Sequence, residues 1–275
     1  MLRSMQELKN YTIGATDGEI GHVSDFFFDD ESWVIRYLVV ETGSWLMSRK
    51  VLISPYSVLQ PDWMHKRLPV SINRDQVKNS PDIDTEKPVS RQHEMTYSDY
   101  YGYPYYWGGT GFWGDGQYFP VMALGGVGLN AVDVAKVAAT QHANDDPHLR
   151  SCSAVVGYHI HARDGDIGHV QGMLVDEETW ALRYLVVDTT NWWGGHRVLI
   201  SPNWIEAISW ADSTVSVNLT RQAIQASPGF DSTAELNRRH EMALYEHYQR
   251  SAYWEQEPSR ELAKNHDKLG MSIVG

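Results

Sequence analysis

One cysteine, a shortage of basic side chains and no long apolar run exclude much of what a 275-residue chain could be. Cys152 has no second thiol to pair with, so there is no internal disulfide and a reducing compartment suits the chain. Lys and Arg number 23 against 35 Asp and Glu, for a formal net charge of -12, and no basic run exceeds two residues. Such a surface repels phosphate backbones and anionic membranes, so nucleic acid is not an expected partner. The most apolar window, Val121 to Ala139, is broken by Gly125, Gly126, Gly128, Asn130, Asp133 and Lys136. It falls short of the roughly 20 apolar residues of a membrane span. Met1 to Glu7 lacks the apolar core of a secretory signal. These absences predict a cytoplasmic protein with no transmembrane segment.

Catalytic signatures are missing too. No nucleophile elbow, cofactor fingerprint or paired catalytic carboxylates can be placed, so the expectation is a non-enzyme with no catalytic residues, no cofactor and no metal.

What the chain does contain is a duplication. Residues 2 to 107 lie over residues 149 to 254 at a constant offset of 147, and 40 of the 106 paired positions are identical. Asp17-Gly18-Glu19-Ile20-Gly21-His22-Val23 falls on Asp164-Gly165-Asp166-Ile167-Gly168-His169-Val170. Arg36 to Val40 falls on Arg183 to Val187, and Val51 to Pro55 on Val198 to Pro202. A feature present in one copy only is therefore a poor candidate for what both copies do. The period is too long for a solenoid, so each copy reads as a domain.

Alternation around Leu8/Tyr11/Ile13 and Val156/Tyr158/Ile160 gives a strand before a glycine turn. A long hairpin follows, its acidic tip at Asp29 to Ser32 or Asp176 to Thr179, its second arm at Trp33 to Thr42 or Trp180 to Thr189. Three shorter strands bring each copy to about six, with no helix long enough for a parallel crossover, which argues for a small antiparallel barrel or sandwich. Short helices follow Asn73 and Thr220, and a second helix is expected from near Thr85 or Ser232. In copy two, Ser232 to Glu235 forms a capping box, with Leu236, His240, Ala243, Leu244 and His247 on one docking stripe. The organisation expected is a first barrel with capping helices at 1-96 and a Tyr/Trp/Gly-rich segment at 97-147, whose helix spans Ala131 to His142. A second barrel at 148-257 and a polar tail at 258-275 complete it.

The DG-x-IGHV turn, the RYLVV strand and the VLISP strand resemble the PRC-barrel family over residues 5 to 80 and 152 to 227. That family takes its name from the cytoplasmic barrel of the photosynthetic reaction centre H subunit and includes the C-terminal domain of a ribosome maturation factor. The resemblance implies mainly β architecture, with two tandem six-stranded antiparallel barrels used as docking or assembly modules. It supplies no catalytic residues.

Several residue clusters invite chemistry. His93-Glu94-Met95 and His240-Glu241-Met242 start like a zinc-peptidase motif, but the second histidine is Tyr97 or Leu244, which leaves a helix-docking or capping role. His22 and His169 sit among carboxylates and read as turn histidines before cation ligands, and His159 with His161 has no counterpart in copy one. Arg36 and Arg183 interrupt apolar strands and require a structural ion pair with Glu41/Asp188, Glu19/Asp166 or the acidic turn. Aromatic residues in connections are the protein-interaction candidates: Trp45, Trp192 and Trp193, then Tyr101, Tyr105, Tyr106 and Trp107, matched by Tyr248, Tyr253 and Trp254. The functional expectation is a non-enzymatic adaptor with two interaction modules. It binds protein partners or itself, and the resemblance adds reaction-centre-type complexes as a context. The alternative is a small-molecule or cation sensor using the barrel mouths or the boundary between copies.

Overall fold

The computed structural model describes residues 1-81, 89-108, 148-190, 195-231 and 236-256. The expected linker helix, the Gly125 to Gly128 joint, the Ser232 to Glu235 capping box, Trp192, Trp193 and the tail lie outside these residues. No described helix is long and apolar enough to cross a membrane.

Each repeat is organised on one long hairpin, β3 (Gly18–Asp29) with β4 (Val34–Glu41), and β9 (Gly165–Asp176) with β10 (Leu182–Asp188). Strand β4 is buried from Val34 to Val40, so it reads as a continuous apolar run rather than as alternation. Around this hairpin the first sheet runs β5 (Lys50–Ile53), β4, β3, β2 (Thr12–Ala15), β6 (Arg67–Pro69). The second runs β11 (Arg197–Ile200), β10, β9, β8 (His159–Ala162), β13 (Thr214–Val217), β12 (Ile205–Ser209).

The expected β class holds, while two features of the barrel are corrected. The pairs β2 with β6 and β8 with β13 are parallel, so both sheets are mixed. Neither ladder closes among the described residues, for β5 and β6 remain the two ends of one sheet and β11 and β12 of the other. In the first repeat Pro61 and Pro69 replace Ile208 and Ser216. Without those two N–H groups the counterpart of β12 is reduced to the isolated bridges Val58 with Val70 and Asp62 with Arg67.

The glycine of the IGHV motif is explained by a close approach. A Cβ at Gly21 would lie 2.0 Å from the Glu41 carbonyl oxygen, and one at Gly168 would lie 2.1 Å from that of Asp188. Only hydrogen fits where β3 and β9 bend against their neighbours. Gly168→Ala is therefore expected to destabilise by about 3 kcal/mol, at the upper end for overpacking, because the obstacle is backbone. Urea unfolding with an unchanged midpoint would contradict this.

The two sheets are not built from their own repeats alone. Strand β1 (Leu2–Ser4) pairs with β9 of the second repeat, Leu2 opposite Asp176 and Ser4 opposite Leu174. Reciprocally, β7 (Leu149–Ser151) pairs with β3 of the first, Leu149 opposite Asp29 and Ser151 opposite Phe27. Helix α1 (Met5–Leu8) follows β1 onto β9, and α4 (Cys152–Val155) follows β7 onto β3. Met5, Leu8, Cys152 and Val155 are all buried, and the Cys152 thiol, pushed up by burial, is a core side chain. Left-handed residues at equivalent positions, Asn10 and Gly157, turn each arm back toward its own repeat. The arms also touch each other, Lys9 Nζ donating to Ser153 Oγ at 2.6 Å.

Helices α2 (Arg74–Lys78) and α5 (Arg221–Gln225) start on the predicted caps Asn73 and Thr220. The longer α3 (Arg91–Tyr101) and α6 (Arg238–Tyr248) open later than expected, at Arg91 and Arg238, capped by Ser90 and Asn237. Those caps accept from the backbone N–H of His93 and His240. The buried face of α6 is Glu241, Leu244, Tyr245 and Tyr248, not the expected stripe, since His240 and Ala243 are exposed.

Candidate functional site

The helix faces just described point a carboxylate inward. Glu94 is 1% exposed and accepts from the Tyr106 hydroxyl, from Tyr37 at 3.4 Å, from Arg91 at 3.1 Å and from His148 Nε2 at 3.1 Å. Glu241 does the same with the Tyr184 hydroxyl at 2.9 Å, Tyr253 at 3.1 Å and Arg238 at 3.1 Å. Over the tyrosine ring lies the buried arginine of the hairpin, Arg36 at 3.8 Å from Tyr106 and Arg183 at 4.0 Å from Tyr253. Each of these arginines bonds the acidic turn, Arg36 to Asp29 at 3.3 Å and Ser32 at 2.9 Å, Arg183 to Asp176 and Thr179 at 3.3 Å. Arg91 and Arg238 then stack on Trp107 and Trp254. The two arginines, two tyrosines, glutamate and tryptophan are identical between repeats.

This cluster welds each hairpin to its helix. Burial pushes the Tyr106, Tyr184 and Tyr253 phenols above their ordinary range, which keeps them neutral donors. Burial also raises the Glu241 carboxyl, against the opposing pull of Arg238 and the two hydroxyls. The folded state then holds that proton more tightly than the unfolded chain, so the contribution of Glu241 to stability falls as pH rises from about 4.5 through the folded pKa. Glu241→Gln removes this titration. The stability gap between parent and variant in urea is expected to be wider at pH 4 than at pH 7, and a gap that widens toward neutral pH would contradict the assignment.

The structure takes most of the sequence-predicted aromatics away from the surface. Tyr105, Tyr106, Tyr248 and Tyr253 are buried, and Tyr101, Trp107 and Trp254 are partly buried. The hydroxyls of Tyr105, Tyr106 and Tyr253 are bonded within the molecule, and the rings of Tyr106 and Tyr253 cover Arg36 and Arg183. Trp45 folds back, its indole N–H donating to the Ile20 carbonyl and its ring lying under Arg74 at 4.3 Å. His22 sits 3.7 Å from Glu41, both exposed, and His161 bonds Asp166 at 2.7 Å. Among the described residues no group of three His, Cys, Asp or Glu side chains is gathered to hold a metal ion. Sequence reasoning missed Glu94 and Glu241 as organising residues. Their identity between copies, with Arg91/Arg238 three residues before and Tyr106/Tyr253 twelve after, was the available signal.

The open concavity lies at the boundary of the repeats. A cleft of about 650 Å³ is walled by Pro55, Tyr56, Leu59, Pro61 and Trp63 of the first repeat and by Glu177, Glu178 and Trp180 at the hairpin tip of the second. It exists on this side because the prolines of the first repeat dissolve the edge strand that the second repeat keeps as β12. Leu59 is 52% exposed and neighbouring Met64 is 86% exposed, where the second repeat has Glu206 and Ala211. Arg3 closes the back of the cleft, bonded to Glu177 at 2.8 Å and stacked on Trp63 at 4.3 Å.

A cleft with tyrosine and tryptophan walls and an acidic edge at Glu177 and Glu178 thus lies between the halves of a duplicated β-sheet body. The PRC-barrel domain model matches residues 4-76, from the exchanged arm into α2. A comparison with curated proteins gave no match.

Proposed function

We propose that the protein is a non-enzymatic, cytoplasmic adaptor that docks a protein partner at the inter-repeat cleft. The observation that carries this reading is the cleft itself, with Leu59 and Met64 exposed beside Tyr56, Trp63 and Trp180. Tyrosine and tryptophan are among the residues that interaction hot spots use. The two buried glutamates that the repeats share, Glu94 and Glu241, are bonded within the molecule to tyrosines and arginines, which supports an assembly role over a catalytic one. The net charge of -12 supports a protein partner over nucleic acid. Reaction-centre-type complexes are the target class that the family resemblance supplies. The test is capture from native extract by the parent protein and by Leu59→Glu/Met64→Asp. A protein retained by the parent and lost by the variant is the expected result, and identical recovery by both would remove the cleft from the function.

The cleft volume also falls within the roughly 300 to 1,000 Å³ of small-ligand sites, which favours a sensor as the second reading. Thermal-shift screening of metals and metabolites separates the two, since only a sensor gains stability from them.

A further inference from the structure

The backbone contacts at the centre of the boundary between the repeats, and the arginine contacts that flank them, obey a two-fold symmetry. At their centre Val34 pairs with Ala181, the same position in the two copies, flanked by Ile35 N–H to Trp180 carbonyl and Leu182 N–H to Trp33 carbonyl. Outward from that point the main contacts recur in pairs. Arg3 bonds Glu177 and stacks on Trp63, while Arg150 bonds Asp30 at 2.8 Å and stacks on Trp210 at 4.3 Å. This is the pattern of an isologous two-fold interface, in which one surface is complementary to itself.

The exchanged arms carry the argument further. Leu2-Arg3-Ser4, seated on the second repeat, is the same tripeptide as Leu149-Arg150-Ser151, seated on the first. The first repeat therefore already accepts on β3 the sequence its own arm begins with. We infer that this interface recognises a repeat rather than the other half of one chain, and that a first repeat released from the second takes another copy of itself as partner through reciprocally exchanged arms.

Side-chain size then sets the order of preference. The arm of the first repeat carries the larger residues, Met5 and Leu8, and lies on β9 with Gly172, Leu174 and Val175. The other arm carries Cys152 and Val155 and lies on β3, whose Phe28 shares their core where the second repeat has Val175. Large against small is matched in both directions only in the mixed pair. Two first repeats overpack and two second repeats leave space, so both self-pairs are weaker.

The linker makes a direct experiment feasible, because both of its ends lie on the first repeat, with Tyr106 Oη 3.0 Å from His148 Nε2. A specific protease site placed at Gly125-Gly126 of the full chain is cut in the folded protein. The two fragments are expected to elute together at the mass of the intact chain. The nicked protein is then unfolded in urea and refolded with a twofold excess of first fragment, and native mass spectrometry is expected to show the mixed pair plus a homodimer of the excess. Added second fragment should convert that homodimer to mixed pair. Fragments that part on cleavage, an excess that stays monomeric or precipitates, or a homodimer that resists conversion would each overturn the inference.

Discussion

Removing residues 1-8 is expected to unfold the second repeat, the one farther away along the chain. Met5 and Leu8 are 3% and 1% exposed and sit on the helix packed against β9. Truncating each to alanine costs about 2 to 5 kcal/mol, so Met5→Ala/Leu8→Ala together approaches the roughly 5 to 15 kcal/mol that holds a domain folded. The full deletion also strips β9 of its ladder partner from Leu174 to Asp176 and frees Glu177 from Arg3. Amide exchange locates the damage. Protection should be lost first at Met173 to Glu177, and unchanged exchange there, with loss confined to the first repeat, would refute the exchanged arrangement.

Glu94→Ala is expected to cost about 4 kcal/mol, within the range for breaking a buried charged pair. It leaves Arg91, His148, Tyr37 and Tyr106 facing a void from which water is excluded. Glu241→Ala should cost less, about 3 kcal/mol, because three donors rather than four converge there and the Arg238 side chain is 46% exposed. His148 accounts for the difference. The equivalent position in the first repeat is Met1, whose side chain has no proton to donate. Chemical denaturation of the two variants checks the ranking, and a larger loss for Glu241→Ala would show that the histidine contributes nothing.

The elements were legible where a local rule determines them. The hairpins followed from apolar runs interrupted by acidic turns, and the short helices from Asn73 and Thr220. The glycine turns followed from the repeated IGHV, though the carbonyl that excludes a Cβ at Gly21 and Gly168 is a tertiary fact. The family resemblance gave the sheet but not its openness, which is the same in both repeats, nor the loss of an edge strand in the first, where Pro61 and Pro69 remove ladder donors. Exchange of the arms was hidden because Leu2-Arg3-Ser4 has the same local preference whichever sheet receives it. The organising glutamates were hidden for a different reason. A hydropathy stripe turns a carboxylate outward, and only the converging tyrosine hydroxyls and arginine make its burial favourable.

His148 beside Tyr106 has one more consequence. Tyr106 and His148 touch on the first repeat, so the described chain is on that repeat both at residue 106 and at residue 148. Passage from one half to the other happens later, at the Val155 to Tyr158 elbow that follows α4. The halves are held in register by the exchanged arms and the Val34 to Ala181 bridge, all of which lie outside the interval of the chain from residue 106 to residue 148.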